Sequence, residues 1–236
     1  MAKANYDFFL MFNLVISIVG LLIVLLLTLS PPMIHENFFW RKPLVGLVFS
    51  LICVVGVFAA VFPKKCSQRL HFKTFETNLT SRGTYSMAHH PNCGEFSSHV
   101  IYLKDQRLCA ACTGLLSGAL IALLGAFFYF FGSWQIEEMK VPIVLIGVAS
   151  IVLGFAQLKF SGFVRLTMNM LFVLGPFLVL IGIDELTKSF FIDLFLTAFI
   201  VFWIFTRIQF SQWDHWQICS HCKSPCEVLE VRKIRA

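Results

Sequence analysis

Cys109 and Cys112 stand three positions apart in CAACTGLLSG, where a polar segment turns into an apolar run. A CxxC turn lets two thiolates from one bend occupy two corners of a zinc tetrahedron. The same spacing at a helix start also suits thiol–disulfide exchange, since the helix N-terminus favours negative charge on sulfur. Further ligand-type side chains flank the pair. The stretch HHPNCGEFSSHVIYLKDQRLCAACTG adds His89, His90, Cys93 and His99, and WDHWQICSHCKSPC supplies His215, Cys219, His221, Cys222 and Cys226. Six of the eight cysteines and five of the seven histidines fall in these two stretches, so the clustering points to metal before cross-links if the compartment is reducing.

The spacing leaves the pairing open. Cys109 and Cys112 with Cys219 and Cys222 make one four-cysteine zinc site. Alternatively Cys93, His99, Cys109 and Cys112 close a site within the first stretch, leaving Cys219, Cys222, Cys226 and one histidine for a second. An iron–sulfur cluster is the alternative cofactor, because the CxxCxxxC of the second stretch needs only one more thiol. A zinc hydrolase would use an open metal position, with His89 and His90 near the metal and Glu95 as base. The HExxH spacing that would make a hydrolase a strong reading is missing.

These residues must be positioned by a membrane bundle. The 236-residue chain is 58% hydrophobic and 14% charged, with mean hydropathy +0.78, well above a soluble domain. Apolar runs long enough to cross the bilayer lie at 8–30, 43–62, 113–132, 141–158, 166–183 and 189–206. The expected fold is all-α: a polytopic membrane bundle of about six helices with a small cytoplasmic Cys/His-rich metal-binding module. A re-entrant hairpin among the last three runs is the alternative, because Gly175 and Pro176 interrupt them. The organisation expected is 1–62 for two helices, 63–112 for a cytoplasmic loop, 113–206 for four helices and 207–236 for a cytoplasmic Cys-rich tail.

Orientation follows from Lys and Arg, which are retained on the cytoplasmic side. With the N-terminus inside, inner segments carry 15 of these residues and outer ones 4. Both termini are therefore expected in the cytoplasm, in the plasma membrane of a prokaryote, with loop and tail on one face. The net charge of +6 is explained by this bias and by lipid headgroups, and calls for no nucleic-acid partner. The expected partners are the lipid bilayer and another protein of a membrane complex.

From Cys93 to about Leu123, CGEFSSHVIYLKDQRLCAACTGLLSGALIAL resembles an uncharacterised family of predicted archaeal and bacterial membrane proteins. That family is marked by a Cys-His segment, a Phe and a CARCTGIY-like helix start. By motif position Cys93, Phe96, Cys109, Cys112, Thr113 and Gly114 carry over. Ala111 stands where the pattern has Arg, and Gly94 follows Cys93 where a His is common. The resemblance implies a Cys-rich membrane protein of unknown function.

Two further features bear on assembly and function. Gly114, Gly118, Ala122 and Ala126 form a strip of small residues, expected as an internal helix-packing face. Polar residues counted inside the spans are few: Asn13, Gln157, Asn169 and Asp193, the last near enough to a helix end to reach headgroups. That scarcity argues against an ion-coupled transporter. The expectation is a scaffold or subunit of a membrane complex, with a zinc site joining loop and tail; a zinc hydrolase or a thiol or iron–sulfur oxidoreductase is the alternative.

Overall fold

The computed structural model describes residues 2–32, 39–62, 94–103, 106–132, 134 and 136–221. Six long helices dominate: α1 (Ala2–Leu29), α2 (Arg41–Val61), α3 (Ala110–Ala126), α4 (Lys140–Phe155), α5 (Gly162–Thr187) and α6 (Phe190–His221). The six candidate membrane spans fall on these helices, the third and fourth running on into the turns after α3 and α4. Helices satisfy their own N–H and C=O groups, which hydrocarbon cannot do for them. Leu26, Leu47, Leu51 and Phe163 are among many large apolar side chains left exposed, as a lipid-facing surface requires.

The bundle is built around α5, which packs most extensively on α4 and α3. Small residues permit the close approach. A Cβ on Gly147 would lie 2.8 Å from the Gly175 carbonyl, and one on Gly175 would lie 2.7 Å from the Gly147 carbonyl. The α3 strip works in the same way: a Cβ on Gly118 would sit 2.8 Å from the Met170 carbonyl, and Ala122 and Ala126 are fully buried. The strip is thus an internal face, and α5 runs unbroken through Pro176 as a full helix, without a re-entrant turn.

Two local features aim side chains. Before α3, a 3-10 turn (Gly94–His99) leads into a hairpin of β1 (Val100–Leu103) and β2 (Gln106–Cys109), with Val100 paired to Cys109. After α3, Phe127–Phe131 form a π-helical turn in which the Gly132 N–H donates to the Phe127 carbonyl, swinging Tyr129 inward. Such turns recur where a helix must re-aim a side chain.

Helix ends differ from the expected ones. α3 starts at Ala110, before residue 113, because Cys109 and the hairpin hand directly into it. α6 continues past 206 to His221, so the first part of the expected tail is helix. Arg207, read as the first tail residue, is buried in the middle of α6 because amide oxygens from α5 and from the 3-10 turn Ala156–Lys159 receive its guanidinium.

Candidate functional site

Polar side chains gather at both ends of the bundle. At one end, here the thiol end, Cys109 occupies the N-cap of α3 in extended conformation and Cys112 lies in the first turn. Both thiols lie near the buried Arg207 guanidinium, close enough for its charge to act on them. Cys109 is buried and Cys112 partly so. The Thr113 hydroxyl donates to the Cys109 carbonyl at 2.9 Å, tightening the start of the helix.

Beside the thiols runs a chain of buried groups. Arg207 Nη2 donates to Gln157 Oε1 at 2.7 Å and to Asn169 Oδ1. Asn169 Nδ2 donates in turn to the Arg165 carbonyl at 2.6 Å. The Arg165 guanidinium is 3.0 Å from His99 Nε2 and 2.9 Å from Asp214 Oδ2. Since a guanidinium only donates, His99 Nε2 is the acceptor. The His215 ring completes the junction, 5.5 Å from His99 and 5.6 Å from Phe96 between centroids.

Loop residues Phe96 and His99 and the last helix therefore meet here. Of the expected ligands, Cys109, Cys112 and His99 lie at this end, with His99 Nε2 engaged by Arg165. Among the described residues no group of three or more His, Cys, Asp or Glu side chains is placed to hold a metal ion. Cys93, Cys222 and Cys226 lie outside the described residues, as do His89 and His90 and the side chains of Cys219, His221 and Glu95. Cys53 is a buried side chain of α2, far along the chain from this cluster.

The other end, the acidic end, holds a network that the sequence reading missed. Arg41 Nη1 at the start of α2 bridges Asp184 of α5 and Asp193 of α6, the latter at 2.6 Å. Lys42 Nζ is 2.6 Å from Glu185 Oε1 and 3.6 Å from Asp184 Oδ2. The Tyr129 hydroxyl lies 2.5 Å from Asp184 Oδ2 and 2.9 Å from Glu185 Oε1. Asp193, expected to reach headgroups, is fully buried because Arg41 comes to it from across the bundle. The spans thus carry far more charge than four polar residues: Arg41, Arg165, Asp184, Glu185 and Arg207 are all buried. Charge inside the spans is therefore not scarce, and its number no longer speaks against ion coupling.

Sequence signals for these groups existed. Gln157 and Asn169 stood out as polar residues in apolar runs, and they turn out to mark where Arg207 docks. Arg41 and Lys42 precede Pro43, a residue suited to a helix start, and Asp184-Glu185 closes an apolar run. No family model, curated protein or solved structure matches the chain.

Proposed function

We propose that this membrane-embedded chain is a scaffold or subunit of a membrane complex, in which zinc at the thiol end ties the loop to the last helix. Cys109 and Cys112 are two ligands, and cysteines among Cys93, Cys219, Cys222 and Cys226 complete the set. Zinc closed by four protein ligands has no open position and serves structure. Both termini and the module face the cytoplasm, by the Lys and Arg bias. The resemblance to the Cys-rich membrane family fits this reading without assigning an activity.

One observation carries the reading: loop residues Phe96 and His99 seat against Asp214 and His215 of α6, and Arg165 and Arg207 connect that junction to the thiols. The charge count supports it. Among the described residues Arg165 and Arg207 face one carboxylate, Asp214, a surplus of positive charge that favours an anionic partner. Zinc bound by three or four thiolates is such an anion, and guanidinium N–H groups suit its sulfurs. α6 also carries the backbone of Cys219 one turn beyond His215.

A second reading has its own observation. Two cysteines three positions apart, one at the N-cap and one in the first turn of α3, are spaced for disulfide exchange. Cys112 would attack a protein disulfide and release one thiolate; Cys109 would then displace the other, leaving a Cys109–Cys112 disulfide. Elemental analysis and thiol titration of protein purified under reducing, metal-sparing conditions separate the two. One equivalent of zinc, lost in Cys112→Ser and Cys222→Ser, is expected. Protein free of metal that cycles reversibly between dithiol and Cys109–Cys112 disulfide would replace the scaffold by the exchange reading.

A further inference from the structure

The acidic end has a charge balance that its hydrogen bonds do not close. Facing one another there are Arg41 and Lys42 from α2, Tyr129 from the π-helical turn, Asp184 and Glu185 from α5 and Asp193 from α6. Lys188, exposed in the turn between α5 and α6, acts on Glu185 from outside. Among the described residues, three buried carboxyl groups there meet two cations, Arg41 and Lys42, with Lys188 exposed at the edge. Asp184 and Asp193, both with no exposed surface, are held by the same Arg41 Nη1, which brings their two carboxyl groups together.

Two buried carboxylates gathered on one guanidinium nitrogen repel each other, and a proton on either removes that repulsion. A separate feature points the same way. Asp193 Oδ1 is buried and has no hydrogen-bond partner, although Asp193 Oδ2 is fully engaged by Arg41. An orphaned carboxylate oxygen away from water is costly. One proton on the pair removes the repulsion, relieves the orphaned Asp193 oxygen of its charge and brings the described buried groups to two positive and two negative charges.

We propose that Asp184 and Asp193 form a carboxyl–carboxylate pair that takes up one exchangeable proton, making the acidic end a proton-binding site. The proton comes from water and bonds to a carboxylate oxygen of the pair; its release returns it to water and leaves the network with one excess negative charge. Lys42, whose side chain is 34% exposed and whose Nζ is 3.6 Å from Asp184 Oδ2, is the partly exposed member through which the network meets the surface. Arg41 links the same two carboxyl groups to α2, so the protonation state sets how firmly α2, α5 and α6 are held together. This site is independent of any metal at the thiol end.

The test is infrared difference spectroscopy and thermal unfolding of the detergent-purified protein from mildly acidic to mildly alkaline pH. Wild type should show a protonated-carboxyl C=O band that is lost on raising the pH, with a parallel fall in Tm. Asp193→Asn, which keeps a donor in place of the shared proton, should lack the band and keep its acid-side Tm at alkaline pH. The proposal is overturned by a wild type without the band, by a band that survives in both Asp193→Asn and Asp184→Asn, or by Asp193→Asn unfolding earlier than wild type at every pH.

Discussion

At the scale of single residues, Arg41 and Tyr129 hold more than their neighbours in sequence would suggest. Arg41 is the cation for two carboxyl groups at once, and both it and they are buried. Removing one member of a buried ion pair leaves the other charge uncompensated, at a cost of about 3–5 kcal/mol. Arg41→Gln should therefore lower stability by that order, read from Tm or from denaturant unfolding in mild detergent. Tyr129→Phe removes one hydroxyl that meets Asp184 and Glu185 and should cost about 1–3 kcal/mol, the range for a buried partner left unsatisfied. Arg207 is the matching case at the thiol end. Its hydrogen-bond acceptors are the neutral oxygens of Gln157 and Asn169, which orient the guanidinium but do not neutralise it.

At the scale of elements, the start of α3 is set from both sides. The hairpin fixes Cys109 through its pairing with Val100, and α5 fixes the helix through the small-residue strip. A Cβ on Gly114 would meet Asn169 Cβ at 2.8 Å and collide with the Leu166 carbonyl, so the first turn of α3, which carries Cys112, cannot lie against α5 with a larger residue there. Gly114→Val should cost about 1–3 kcal/mol, the range for overpacking, and should lower thiol-end metal content along with Tm. A Gly56→Ala control should be near neutral, since a Cβ there meets nothing within 4 Å. The strip was readable from its four-residue period, because that period defines one helix face whatever lies opposite. The hairpin was not, because four-residue strands inside a polar segment carry little periodicity.

At the scale of the whole molecule, the two polar clusters lie at opposite ends of the helices. α5 carries Arg165 near its start and Asp184 near its end. If the termini are cytoplasmic, a membrane-impermeant maleimide applied to intact cells should label Glu138→Cys, which is exposed before α4, and not Lys159→Cys, which is exposed after it. The reverse pattern would invert the topology and place the thiols outside. The sequence alone determined the six apolar spans, the small-residue strip of the third span, and the expectation that loop and tail return to one end. Each of these follows from length, local hydropathy and alternation, which are properties of neighbouring residues. Only the tertiary structure decided which charges are buried. Arg41 meets Asp184 and Asp193 across 143 and 152 residues of chain. A charge at the edge of an apolar run reads as interfacial until a partner from another helix lies beside it, because its cost depends on that partner and not on its own segment.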